Sequence, residues 1–278
     1  MVRYYGERIG ILDVIRDTFR LLRKNFILLF CIALIGAVIS LAGSTYAFLF
    51  GEEISGFTIF LLGAADVFIT VWINAALIFS SASLHYGNQF SLAEMKKVTR
   101  SKYWSAFIAT MKLALIILVP ILLIYYLAIV IPAVGVLVLL PAFCFLFYLS
   151  FRYLFVVHSV ILEEHAIGAF KNSSRLVDGR FWKIVGGTLL FSAIFITISL
   201  IDTFYIADTL INQPAWVIYL HDVVISFYNV ALLVIESAFT TLLYLRLREL
   251  EAGPVRSASN SSTDGSDSGY GGYHEPKI

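Results

Sequence analysis

The chain predicts an all-α integral membrane protein: six transmembrane helices in three hairpins, each hairpin preceded by a cytoplasmic amphipathic helix. Three observations predict it. Of 278 residues, 59% are hydrophobic and 14% charged, with a mean hydropathy of +0.86. A soluble domain needs about 25% charge to cover its surface, so lipid must solvate most of this one. The apolar residues fall into six runs, each long enough to cross about 30 Å of hydrocarbon. The cations, finally, gather at alternate ends of those runs.

The elements follow in order. Ile11, Leu12, Ile15, Phe19, Leu22 and Phe26 recur at helical spacing among Arg16, Arg20, Arg23 and Lys24, so 11–24 reads as an amphipathic helix. The first span covers about 26–50. It is far longer than the roughly 7–15 apolar residues of a cleaved signal, so it is an anchor. Gly51-Glu52-Glu53 turns the chain into a second span at 57–80. Ser91-Leu92-Ala93-Glu94 is a capping box that opens a second basic helix with Lys96, Lys97, Arg100 and Lys102. The third span, 107–131, contains Pro120 as a candidate kink. Pro132 to Gly135 reads as a tight outer turn before the fourth span, 136–157.

The stretch from Arg152 to Gly187 organises the rest. An apolar run ends at Glu163-Glu164, and a two-faced helix follows through Phe170, Lys171, Ser173, Arg175 and Leu176. Asp178-Gly179 breaks that helix before Arg180-Phe181-Trp182-Lys183. A fifth span at 184–200, an outer loop with Asp202 and Asp208, and a sixth span at 223–245 complete residues 1–250 as one membrane domain. Residues 251–278 turn to Ser, Gly, Asp and Asn with no apolar periodicity and read as a disordered cytoplasmic tail.

Orientation comes from charge. Of 20 Lys and Arg, six precede the first span, four separate spans two and three, five separate spans four and five, and four follow span six. The other three connections have none. Lys112, inside span three, is the remaining one. Positive charge stays on the cytoplasmic side, so both termini are predicted inside a multi-pass protein of the cell membrane. Arg16-x-Thr18-x-Arg20 leads to Phe26 as Lys171-x-Ser173-x-Arg175 leads to Phe181, with Lys96 and Arg100 in the matching places between them. The unit of surface helix, span, turn and span therefore repeats three times.

These residues carry a resemblance. Arg152, Val160-Ile161-Leu162-Glu163, Ala169-Phe170-Lys171-Asn172-Ser173 and Gly179-Arg180-Phe181-Trp182-Lys183 resemble the membrane domain of glycerophosphodiester phosphodiesterases and of related stand-alone multi-span prokaryotic proteins. Arg16-Asp17-Thr18-Phe19 and the closing Leu243 to Arg248 look like that family's ends, although members close on Tyr-Asp-Leu-Arg where this chain has Tyr244-Leu245-Arg246. The resemblance covers about residues 8–250. It implies a six-span domain without established activity of its own, and the phosphodiesterase barrel has no counterpart in these residues.

Ionisable residues inside spans are the first site candidates, because an unpaired charge in lipid costs about 2.5–3.5 kcal/mol or more. Lys112, Arg152, Glu236 and Asp66 fall in this class. One reading makes Lys112, Arg152 and Glu236 the lining of a cavity suited to an anionic head group. The other pairs Glu236 with Lys112 or Arg152 as structural glue, while the spare cation snorkels to the interface. Asp66 serves as a proton relay or, more simply, as an interhelical hydrogen-bonding group.

Arg16, Arg20, Lys96, Lys97, Arg100, Lys171 and Arg175 form a candidate surface for anionic lipid head groups. Gly36, Ser40 and Ser44, at four-residue spacing, mark close helix contact. Cys31 and Cys144 read as core packing rather than a disulfide, and the five histidines lack metal-ligand spacing. The sequence also lacks G-x-S-x-G, Walker and H-E-x-x-H patterns. The chain thus reads as a non-enzymatic module, without cofactor or nucleic acid, that binds membrane lipids or a protein partner through its surface helices or tail. A transporter or flippase-like carrier of an anionic or lipidic solute is the alternative.

Overall fold

A computed structural model describes residues 10–50, 56–88, 90–163, 168–201 and 213–252, and the described chain is helical with no strand. Among the described residues eight helices follow one another: α1 (Ile11–Phe50), α2 (Gly56–His85), α3 (Leu92–Val130), α4 (Pro132–Arg152), α5 (Val156–Leu162), α6 (Ala169–Val177), α7 (Phe181–Ile201) and α8 (Ala215–Ala252). Five stretches are long and apolar enough to cross a membrane: Ile11–Val38, Gly56–His85, Leu92–Leu127, Val138–Leu162 and Trp216–Glu251. That is the make-up of an integral membrane protein. The turn at Gly51, the loop with Asp202 and Asp208, and the tail beyond Ala252 lie outside the described residues.

The predicted basic helix 11–24 and the first span are one continuous helix, α1. The second basic helix likewise runs straight into the third span as α3, and Pro120 lies inside it. Ser91 caps α3 as its sequence predicts, its hydroxyl accepting from the Glu94 amide at 3.4 Å. Pro132 to Gly135 are not a turn. Pro132 occupies the first turn of α4 and Ile131 alone joins the two helices, because proline's missing N–H costs nothing where a helix has no partner for it.

The fourth apolar run is broken too. α4 stops at Arg152, residues 153–155 turn, and α5 is a separate short helix with Val156, His158, Ser159, Val160 and Ile161 all buried. Asp178-Gly179 does end α6, and Gly179 takes φ +76°. That left-handed geometry is open to glycine at no steric cost.

α1, α2 and α8 pack together at the centre, with α8 lying most extensively along α1. A Cβ on Gly36 would come 2.5 Å from Ile73 Cδ1, so this glycine admits α2 within the same chain. α3 packs on α2 and α4 on α3, while α5 is held among α2, α3 and α6. α7 meets α8 through the stacked rings of Phe191 and Phe239, 4.0 Å apart, and through the Tyr228 hydroxyl, which donates to the Phe195 carbonyl.

The core is concentrated toward one end. It takes Val14–Ala37 of α1, Val71–Ala82 of α2, Met95–Ala109 of α3, the helices α5 and α6, Ile184 and Phe191 of α7, and Val230–Leu247 of α8. This is also the end that carries the arginines and lysines of α1, α3, α6 and α8. Away from it, α3 and α4 expose Leu122, Tyr126, Ile129, Leu140 and Phe143. Lipid makes such exposure inexpensive, since its tails are as apolar as the side chains. Cys31 and Cys144 are also exposed rather than packed in the core, for the same reason: a small apolar thiol facing hydrocarbon has nothing to gain from burial.

Candidate functional site

The best-connected polar site in the described chain centres on Glu163, the acid that closes the apolar run of α5. Its Oε1 accepts the Tyr244 hydroxyl in a short hydrogen bond and lies 3.3 Å from Arg248 Nη2. Its Oε2 accepts from Asn172 Nδ2 at 2.8 Å, and its backbone carbonyl accepts from Lys102 Nζ at 2.7 Å. One residue thereby ties α3, α6 and α8 together. The tie continues outward: Arg248 Nη1 is 2.9 Å from Glu251 Oε2, and Glu251 Oε1 pairs with Arg175 of α6. Charge-assisted bonds of this kind are the stronger class, and the Glu163 side chain is only 17% exposed.

A second tie closes the break between α4 and α5. The buried Ser173 hydroxyl donates to the Arg152 carbonyl at 3.0 Å and accepts from the Phe155 amide at 3.2 Å. Two main-chain groups left over at the break thus find partners on α6, as buried backbone groups must. The Arg152 side chain turns the same way. Its guanidinium donates to Ser174 Oγ at 3.0 Å and to the Tyr148 hydroxyl, covers the Tyr148 ring, and stands 3.9 Å from Asp178.

His158 sits beside this site, 6% exposed, with its ring 5.9 Å from Phe155 and 5.7 Å from Tyr244. Neither of its nitrogens has a hydrogen-bond partner.

Of the four intramembrane candidates, no two are joined by a hydrogen bond or ion pair among the described residues. Arg152 is engaged as above. Glu236 is exposed on α8 and lines a cleft of about 220 Å³ against Ser192, Phe195, Ile196 and Ser199 of α7. Lys112 and Asp66 are both exposed. The Phe68–Phe107 stack (4.8 Å) and the bond from the Tyr103 hydroxyl to the Phe68 carbonyl (3.1 Å) set the register of α2 against α3. Lys112 therefore lies about 7 Å beyond Phe107, on the side away from the Ser91 cap.

The head-group candidates divide into two sets. Arg16 and Arg20 are held by Asp13 (2.7 Å) and Asp17 (3.2 Å) of their own helix, and Arg175 by Glu251. Lys96, Lys97, Arg100 and Lys171 are exposed and have no ion-pair partner among the described residues. A small cavity of about 110 Å³ opens at the same end between Asp13, Asp17, His85, Arg246 and Glu249. Beside it the Tyr86 hydroxyl is pushed up, first by burial and then by the charge of Glu249. Among the described residues no three His, Cys, Asp or Glu side chains gather as metal ligands.

Sequence reading singled out Arg152, Arg175 and Lys171 but missed Glu163 and His158 as site residues. A signal for Glu163 was present: an acid directly after an apolar run is costly there unless it is paired. Its hydrogen-bond partners Asn172, Lys102 and Tyr244, 9, 61 and 81 residues away, leave no local pattern. No family model matches this chain, and comparison with curated proteins and with solved structures likewise returns no match.

Proposed function

We propose that the protein is a non-enzymatic membrane module that binds and organises anionic lipids at the cytoplasmic face of the cell membrane. In this reading α7 is also a crossing, the fifth in chain order, and brings the five to six. Its 21 residues rise about 31 Å, enough for the hydrocarbon layer. The six crossings form three hairpins, both termini lie inside, and the basic starts of α1 and α3 together with α6 serve as the amphipathic elements. The resemblance to the membrane domain of glycerophosphodiester phosphodiesterases supports the six-span reading. A protein partner docking on the basic ends or on the tail is compatible with it.

The observation that carries the proposal is the set of exposed cations Lys96, Lys97, Arg100 and Lys171, without an ion-pair partner among the described residues, at the packed end of the bundle. Each such cation near a membrane surface contributes about 1 kcal/mol of attraction to anionic lipid. The test is electron spin resonance of spin-labelled phosphatidylglycerol and phosphatidylcholine in proteoliposomes. The motionally restricted lipid at the protein should be enriched in phosphatidylglycerol, and the enrichment should fall as salt screens it. Equal restriction of the two lipids would refute the proposal.

A carrier of an anionic or lipidic solute is favoured by the Glu236 cleft between α7 and α8. That reading needs Lys112 and Glu236 in one passage, and Lys112 does not line this cleft.

A further inference from the structure

The cations of α1 are not equivalent. Arg16 and Arg20 each have an aspartate three residues earlier and bond to it. Arg23 and Lys24 follow Arg20, Leu21 and Leu22 and precede Phe26, Ile27 and Leu28, so no acid is within helical reach on either side. Both are exposed and have no partner among the described residues. Both line a cleft of about 500 Å³ between α1 and the end of α2 with Phe90. Beside Arg23, Lys24 and Asn25 its lining is apolar: Phe26, Ile27 and Leu28 of α1 on one side, Leu84 and Phe90 on the other. The volume falls in the range of small-molecule sites.

We propose that this cleft seats one anionic phospholipid, its phosphate on Arg23 and Lys24 and its first acyl methylenes against Phe26, Ile27, Leu84 and Phe90. The charge fits because no acid within helical reach cancels the attraction of these two cations for an anionic head group. The lining fits because a free phosphate would leave that apolar surface in contact with water, whereas a lipid covers it. The position fits because the cleft lies where α1 changes from its charged turns to its apolar run, the depth at which a head group gives way to a chain. The site rests on the lipid-binding reading above but uses residues outside the cations that carry it.

The test is native mass spectrometry of the full chain released from nanodiscs of equal phosphatidylglycerol and phosphatidylcholine. Wild type should retain one phosphatidylglycerol beyond the loosely held lipid. The double variant Arg23→Gln/Lys24→Gln should retain it roughly thirtyfold more weakly, the loss of two surface cations. Leu84→Trp, which fills the cleft and keeps both cations, should weaken it as well. Both should elute and give helical circular dichroism as wild type does. Inorganic phosphate added before release should not displace the lipid. Retention unchanged in both variants would overturn the site while leaving the wider lipid reading standing. Displacement by phosphate would show that the cleft takes a free anion. Absence of any retained phosphatidylglycerol in wild type would overturn site and reading together.

Discussion

A carboxylate that accepts a phenol, an amide and a guanidinium on its two oxygens is a structural commitment at a single position. Glu163→Ala strips Tyr244 and Asn172 of the acceptor they share and leaves Arg248 with Glu251 alone. Leaving such groups without a partner costs about 1–3 kcal/mol, so the variant should unfold at lower temperature in detergent. Glu163→Gln keeps an acceptor oxygen and should fall between Ala and wild type. An alanine variant that melts together with wild type would mean that the site is ornamental. Ser173 is a comparable commitment made with one hydroxyl, because the two groups it serves are main-chain atoms that no rotamer change can move away.

At the scale of elements, the three stretches that the sequence predicts to be repeats are not built alike. In α1 and α3 the basic turns and the apolar run form one rod. Between Arg152 and Phe181 the same ingredients are divided among α4, α5, α6 and α7. Gly179 makes one of those divisions possible: a Cβ there would touch nothing within 4 Å, so only its φ of +76° limits what it can become. Gly179→Ala should cost about 1–2 kcal/mol through the left-handed backbone alone, read as faster amide hydrogen exchange in α6. Exchange equal to wild type would show that the turn tolerates a side chain.

Gly187 is the opposite case. A Cβ there would come 2.7 Å from Ile11 Cδ1, so it is a point of close approach between α7 and α1.

The Asp178-Gly179 break and the Ser91 cap were legible in the sequence because local chemistry decides them. The turn at 153–155 was not, since Leu154 to Leu162 is apolar apart from His158-Ser159 and carries no proline or glycine, and periodicity cannot tell a buried helix from the end of a span. For the same reason the join within α1 was invisible: an amphipathic helix and an apolar one share the same period. Glu236, Lys112 and Asp66 could be recognised as costly residues, but what each faces depends on helix rotation and register, which ring stacks such as Phe68–Phe107 decide.

For the whole molecule, the segregation of cations to one end makes a sided prediction. With Cys31 and Cys144 replaced by serine, Lys97→Cys should react with a membrane-impermeant maleimide only in inverted vesicles. Pro214→Cys, at the start of α8, should react only in intact cells. Labelling of both from the same side would require a different number of crossings.

The lengths of α1, α3 and α8 carry a last consequence. At 40, 39 and 38 residues these helices are nearly 60 Å long, about twice the hydrocarbon thickness. Their surplus is the tightly packed end, where Glu163 fastens α3 and α8 around α5 and α6. A detergent belt cannot cover that surplus, so the particle presents a rigid knob on one side of its micelle. An electron microscopist can align images on such a knob, and a binder raised against it would report the protein's sidedness without any labelling chemistry.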